Sequence, residues 1–270
     1  MLYVVTVHHA SPRWIEIQTR HIRRHIGVPH EIWTSLEKID PSYGSHFDTV
    51  LELQAPHAPK LNAIVTEILE VADDGDLMMF LDGDSFPIAD PMPLVQESLA
   101  KAPLVAVRRA ENGEEPQPHP CFTVMSVGTW KAVRGDWTAG YTWPGVHGRP
   151  NSDVGGNLLR KLELAGMPWV QVLRSNRHNP DPLYLAIYGD IVYHHGAGLT
   201  GGLSPAHRAL APKPAPLPGN PVGDAAVRLK NRRRWNRWER AAEQSIARKS
   251  QQWFERIRDD PEDRWLADLM

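Results

Sequence analysis

Leu77-Met78-Met79-Phe80-Leu81-Asp82-Gly83-Asp84-Ser85-Phe86-Pro87-Ile88 is the stretch that decides the fold. Residues 77–81 are apolar without alternation, the pattern of a strand buried on both faces of a parallel sheet. A helical pattern precedes them: Leu61, Ile64, Val65, Ile68, Leu69 and Val71 recur at spacings of three and four across Lys60 to Ala72, and Gly75 closes the run. Helix followed by buried strand is the rhythm of an α/β fold, and Asp82-Gly83-Asp84 then falls at the C-terminal edge of a central strand, where open α/β sheets bind ligands. Two carboxylates two residues apart on extended chain point the same way. Such a pair offers hard oxygen ligands to Mn²⁺ or Mg²⁺, and Gly83 removes a side chain where a diphosphate has to approach. The competing reading is a plain hairpin turn, since Asp-Gly between apolar residues is a strong type I′ signal. The residues after Asp84 argue against it, because they run through Pro87 towards a helix start near Pro91 and not into a matching strand.

Outward from this stretch the pattern continues. Leu2 to Val7 reads as a strand, Ile15, Thr19, Ile22 and Ile26 as a helix, His30 to Ser35 as a second strand and Phe47 to Leu53 as a third. Downstream, Leu94 to Leu99 predicts a helix, Leu104 to Val107 and Phe122 to Val127 strands, and Ser152 to Ala165 a helix opened by Ser152 or Asp153. Val170 to Leu173 and Ile187 to Tyr193 are further strands. Prolines at 205, 212, 214, 216, 218 and 221 then mark an extended tether. Beyond it, Trp235, Trp238, Ala242, Ile246, Trp253 and Ile257 share one helical face, and arginines such as Arg232, Arg233, Arg237 and Arg240 occupy the other. The expected organisation is residues 1–204 as the α/β domain, 205–223 as linker and 224–270 as a helical tail.

The bulk composition narrows the partners. The chain has 270 residues, 41% hydrophobic and 23% charged, with a formal net charge of −2, so it is long enough to bury a large core and carries no general basic charge for nucleic acid. One cysteine, Cys121, excludes an intramolecular disulfide scaffold and a cysteine-rich zinc site. The N-terminal Met-Leu-Tyr-Val-Val reads as a first strand and not a secretion signal, and no run approaches the roughly 20 apolar residues of a membrane span. A cytoplasmic location follows as an expectation. The basic tail helix leaves room for peripheral contact with the inner membrane face, or for docking on the domain or on a second copy.

With its Asp82-Gly83-Asp84 motif ending a central strand, the sequence resembles the GT-A glycosyltransferases, whose Asp-x-Asp motif holds a metal–nucleotide complex. The resemblance covers roughly the first two hundred residues, judged from element order. It implies a Rossmann-like, mainly parallel mixed sheet flanked by helices, with a C-terminal helical extension. It implies transfer of a sugar from a nucleotide-sugar donor, a UDP-sugar foremost, to a glycan or other hydroxyl acceptor, with Mn²⁺ or Mg²⁺ as cofactor. Asp82 and Asp84 would hold the metal and Gly83 would lie against the diphosphate. His57-Ala58-Pro59-Lys60-Leu61-Asn62 is similar to a segment that places a cation, Lys60, and an amide, Asn62, near the donor; a solvated helix start is the alternative for Lys60. The first strand end, Thr6 to Arg13, would line the base and ribose pocket through Thr6, His8 and Arg13. His195 to Gly198 is similar to a His-x-x-Gly segment of glycogenin-like enzymes that supplies a third metal ligand, although the Lys-Pro-Trp that follows it there is missing; His194 and His195 both stay open for the role. Asp153, in Asn151-Ser152-Asp153-Val154-Gly155-Gly156-Asn157, resembles the acidic helix start beside GT-A acceptor sites and is the candidate base, with a helix cap as its other reading. Asp84, through the cation it holds, and Asp153 would carry the chemistry. The loop from Trp137 to Arg149, with Tyr141, Trp143 and His147, has the makeup of a sugar-facing platform.

Three other functions fit parts of the pattern. A haloacid-dehalogenase-like phosphatase also uses Asp-x-Asp at a strand end, but near the chain start and followed by Thr or Val, where here Ser85-Phe86 follows. A sugar nucleotidyltransferase needs a glycine-rich first loop, and His8 to Arg13 has no glycine. A non-catalytic nucleotide-sugar-binding protein is the alternative from another class.

Overall fold

β1 (Leu2–His9) and β4 (Leu77–Asp82) lie side by side at the centre of the molecule and run parallel, with Val7 opposite Asp82. This arrangement comes from a computed structural model that describes residues 1–144, 150–196, 203 and 205–270. β4 lacks alternation because both its faces are covered. Met79 and Leu81 join a core with Ile15, Ile22, Val95 and Val105, whereas Met78 and Phe80 join one with Leu61, Ile64, Ile68 and Trp130. Each face therefore needs an apolar side chain at every second position, and the two sets interleave into a continuous run.

On one side of β1, β2 (His30–Glu37) and then β3 (Thr49–Leu51) extend the sheet in parallel. On the far side of β4, β7 (His119–Ser126) pairs antiparallel with both β4 and β6 (Leu104–Val107), and β10 (Val170–Val172) closes that edge parallel to β6. The order is β10-β6-β7-β4-β1-β2-β3, a mixed, mainly parallel sheet in which β7 is the reversed strand. Helices α1 (Ile15–His25) and α3 (Met92–Leu99) cover the first core, while α2 (His57–Val71), α4 (Val127–Val133) and α5 (Gly156–Leu164) cover the second. The fold is α/β, as expected from the sequence.

β8 (Trp143–Pro144) and β9 (Pro150–Asn151) pair antiparallel as a small two-stranded ribbon, and a second sheet of three short strands, β11 (Ala186–Tyr188), β12 (Val192–His194) and β5 (Ser85–Pro87), sits against the C-terminal end of β4. The expected single strand Ile187 to Tyr193 is thus a hairpin. Gly189 and Asp190 both adopt positive φ (57° and 58°), and Ile191 N–H bonds Tyr188 C=O, which is a type I′ turn. β5 finds its partner in β12, with His194 opposite Ser85, and not in β4. Gly83 is not among the residues at positive φ, so Asp82-Gly83 is not a type I′ hairpin turn.

The helix expected from Ser152 begins instead at Gly156, because Gly155 takes the cap position at φ 88° and leaves Asp153 in the loop before it. Within the proline-rich segment, α6 (Pro205–Ala209) forms a short helix and residues 212–222 are exposed or nearly so. α7 (Pro221–Asp259) starts with Pro221 in its first turn, and the Asn220 side chain accepts a bond from Gly223 N–H. The last turns of α7 and the 3₁₀ turn Arg264–Asp268 build a third core, where Phe254, Ile257, Trp265 and Leu269 pack with Trp14, Phe86 and Tyr193. Of the tryptophan stripe, Ile246, Trp253 and Ile257 meet this core, while Trp235 is exposed. No helix among the described residues is long and apolar enough to cross a membrane.

Candidate functional site

Asp82 ends β4 at the floor of a cleft of about 690 Å³, within the usual size of ligand pockets. Its carboxylate is ringed by imidazoles from three elements. His57 Nε2, at the start of α2, is 3.1 Å from Oδ1, and His119 Nδ1 of β7 and His194 Nε2 of β12 are each 3.7 Å from Oδ2. Asp84 approaches His194 Nε2 at 3.5 Å with Oδ1 and accepts Gly196 N–H with Oδ2. The β5–β12 pairing creates this arrangement, since setting His194 opposite Ser85 places its ring beside Asp84.

Burial alone would raise the carboxyl pKa of Asp82, but the hydrogen bond from His57, foremost among the surrounding imidazoles, holds it well below the usual range. Burial opposes ionisation of Asp84 as well, and His194 outweighs it. His119 is held neutral far below its ordinary range by burial and then by Arg109, whose Nη1 lies 3.2 Å from its Nε2. Near them burial lifts Glu115 to about 7 against the pull of Arg109. Two ionised acids with the His194 imidazole nitrogen beside them form a hard-oxygen and nitrogen donor set that suits Mn²⁺ or Mg²⁺. Asp82, Asp84 and His194 do not close into a compact three-donor cluster of the kind found elsewhere in the chain.

Gln18 of α1 holds the floor in place. Its Nε2 donates to the carbonyls of Asp82 and Ser85, both at 2.7 Å, and its Oε1 accepts from Thr6 Oγ1 and His8 Nε2, both at 3.0 Å. Gly83 is needed for a reason the sequence did not show. A Cβ there would stand 2.6 Å from the Val7 carbonyl oxygen and 3.0 Å from His8 Nδ1.

Of the residues singled out in the sequence, Asp82, Gly83, Asp84, Lys60, Asp153 and His194 line the cleft together. Lys60 is almost wholly buried and its ammonium pairs with the Glu37 carboxylate, so it is no solvated helix start. The others lie elsewhere. Thr6 and His8 are buried against Gln18, because along β1 it is Val7 and His9 that face the cleft. Asn62 lies two residues, about 200°, round α2 from Lys60. Its amide bonds Asp136 and Trp137 N–H and so pins the loop after α4. Arg13 stacks its guanidinium 4.9 Å from the Phe254 ring centre on α7. His195 points away from the cleft: Nδ1 is 2.8 Å from the Tyr193 hydroxyl, Nε2 is 2.7 Å from Ser250 Oγ, and burial lowers its pKa to about 3. Adjacent strand residues face opposite ways, so between the two histidines the fold sets His194 at the cleft. Ala197 and Gly198 of the His-x-x-Gly segment, and His147 and Arg149 of the expected platform, lie outside the described residues. Sequence reading missed His9, Glu37, His57, Arg109 and His119, all at the cleft.

No protein-family profile and no curated protein sequence matches the chain. It is similar to solved structures of glycosyltransferases. The mannosyltransferase PcManGT from Pyrobaculum calidifontis, in complex with GDP-Man and Mn²⁺, is 15% identical with a TM-score of 0.40, over 51% of this chain and 47% of that one. The glycosyltransferase GlyE of Streptococcus pneumoniae TIGR4 is 16% identical with a TM-score of 0.36, over 49% and 36%. An active-site mutant of LgtC is 12% identical with a TM-score of 0.42, over 73% and 88%. The chain thus spans less than half the length of PcManGT and GlyE. These likenesses are loose, and what the cleft does is read from its own residues.

Proposed function

We propose that the chain is a glycosyltransferase that moves a sugar from a nucleotide-sugar donor, a UDP-sugar foremost, to an acceptor hydroxyl in a divalent-metal-dependent reaction. One observation carries the reading: Asp82 and Asp84, both held ionised, stand with His194 on the floor of a cleft at the C-terminal edge of the central sheet. Asp82, Asp84 and His194 are the residues to hold Mn²⁺ or Mg²⁺, and the bound ion would supply Lewis-acid stabilisation of the departing diphosphate. The bond broken is that between the anomeric carbon and the diphosphate oxygen. The bond formed joins that carbon to the acceptor oxygen, whose proton passes to a base.

Asp153 is the carboxylate proposed as that base. It lines the cleft from the loop before α5, free of the helix-cap geometry that Gly155 has taken. Arg109 adds fixed positive charge on the same wall for the diphosphate oxygens, and the Lys60–Glu37 pair shapes the wall beside β2. His57, hydrogen-bonded to Oδ1, keeps Asp82 ionised and oriented before a substrate arrives. The first strand positions bearing on the donor are then Val7 and His9 rather than Thr6 and His8.

A thermal-shift screen of nucleoside diphosphates with and without Mn²⁺, repeated on Asp84→Ala, tests the proposal. At about 100 times Kd the expected rise is about 5–10 °C, Mn²⁺-dependent and absent in the variant. A screen without any metal-dependent rise, or a rise that survives in Asp84→Ala, refutes it. Slow Mn²⁺-dependent hydrolysis of the donor, lost in Asp153→Asn while nucleotide binding persists, separates a transferase from a binding protein. Turnover of p-nitrophenyl phosphate would turn the reading towards a phosphatase.

A further inference from the structure

Where α1 meets the C-terminal turn, three ligand atoms converge away from the cleft. His21 and His25 are one helical turn apart and share a face of α1. His21 is fully buried, packed 4.3 Å from the Phe86 ring, with Nδ1 3.2 Å from the Pro87 carbonyl oxygen. A carbonyl only accepts, so the neutral ring carries its proton on Nδ1 and presents a lone pair at Nε2. That Nε2 faces Asp263 Oδ1 at 3.3 Å without the alignment of a good hydrogen bond; His25 Nε2, also closed to solvent, has no partner. His21, His25 and Asp263 each offer one ligand atom, and these atoms all lie within 4.8 Å of one another. Among the described residues no other histidine, cysteine or acid group gathers so tightly.

Buried imidazole nitrogens without a hydrogen-bond partner are costly, and a cation removes the cost. A proton on His21 would join it to Asp263 but leave His25 Nε2 unsatisfied. An ion would satisfy both nitrogens and draw on Asp263 Oδ1, which among the described residues otherwise accepts only a 3.3 Å bond from Trp265 Nε1. Ligands about 2.0–2.1 Å from a tetrahedral ion stand about 3.4 Å apart, close to the His21–Asp263 separation. The surroundings match those of metal ligands: Pro87 C=O fixes the tautomer of His21, and Arg24 Nη1, 2.7 Å from Asp263 Oδ2, orients the carboxylate through its other oxygen. Asp90 lies near enough for its charge to act on His25, which offsets part of the Arg24 charge.

We propose that His21, His25 and Asp263 form a second divalent-metal site, suited to Zn²⁺, that clamps the C-terminal turn to α1. Asp263 opens the 3₁₀ turn that carries Trp265 into the third core, so the ion fastens the end of the chain to the helix whose Gln18 supports the cleft floor. The site is independent of nucleotide and of the proposed transfer.

The test titrates the full, chelator-treated chain with Zn²⁺ alone, following binding by calorimetry and melting temperature. Wild type and Asp84→Ala should each bind an equivalent of Zn²⁺ without nucleotide and melt several degrees higher with it. His25→Ala, at a half-buried position, and Asp263→Asn should weaken that binding by more than about 100-fold, beyond what losing an outer hydrogen bond to a ligand costs. X-ray absorption at the zinc edge of the unaltered chain should show two imidazole ligands, so the proposal stays testable if a variant misfolds. Zn²⁺ affinity unchanged in folded His25→Ala and Asp263→Asn, loss of binding in Asp84→Ala, or no binding by the wild type overturns it. The Mn²⁺–nucleotide screen reads the cleft alone, so the two sites fail or stand separately.

Discussion

At Gly83 the backbone of the acidic turn rests on β1 so closely that no side chain fits, with only 2.6 Å between a built Cβ and the Val7 carbonyl oxygen. Backbone cannot swing aside as a flexible side chain does. Gly83→Ala should therefore push Asp82 and Asp84 off the cleft floor and cost about 1–3 kcal/mol of stability. Urea unfolding, together with Mn²⁺-dependent nucleotide binding, checks this, and a variant unchanged in both would show that the turn has slack. Gln18 works at the same scale. Its amide meets four partners on three strands, β1, β4 and β5, so the polar ends of Thr6 and His8 serve the architecture of the floor and not the ligand. Their hydroxyl and imidazole looked like ligand contacts in the sequence because polar groups at a strand end have the same composition in either role.

Among the elements, the end of α7 is part of the fold and its beginning is not. Ile257 is fully buried in the third core, whereas Trp235 is 37% exposed. Ile257→Ala should cost about 2–5 kcal/mol, while Trp235→Ala should stay within about 0.5 kcal/mol. Chemical denaturation of the two variants side by side measures the contrast, and equal effects would mean that the whole helix is docked. Helical spacing put both residues on one stripe. How far along that stripe the domain reaches depends on where Trp14, Phe86 and Tyr193 end up, and those come from the residue capping α1, from β5 and from β12.

For the molecule as a whole, buried neutral histidines govern the response to acid. Burial lowers His8 to about 4 and His195 to about 3, and His119 also sits well below its ordinary value. In the unfolded chain each returns to about 6.5 and binds a proton there. The stability these groups contribute is complete above that value and is lost as pH falls towards their folded pKa values, by up to about 1.4 kcal/mol per pH unit for each histidine. Glu115, raised to about 7, works the other way between about 4.5 and 7, where the folded state holds the extra proton. Three groups against one give a net loss, so unfolding free energy, measured by urea in chelator, should fall steadily from pH 6.5 to pH 4. A flat or rising profile would contradict the buried, neutral assignment.

What the amino-acid order settled by itself is local. The doubly buried strand 77–81, the acidic pair that ends it, the helix before it and the long tail helix all follow from periodicity and from side chains two residues apart facing one way. Tertiary structure decided which sides of those elements look into the cleft. The parity of β1 relative to its neighbours put Val7 and His9 at the cleft where Thr6 and His8 were expected, and the pairing of β12 with β5 chose His194 over His195. His57, His119 and Arg109 reach Asp82 or its wall from α2, β7 and the loop after β6, three places far apart in the chain. Distance along the chain carries no information about such meetings, because they depend on which strands pair and in what register, and that is determined by the packing of the whole core.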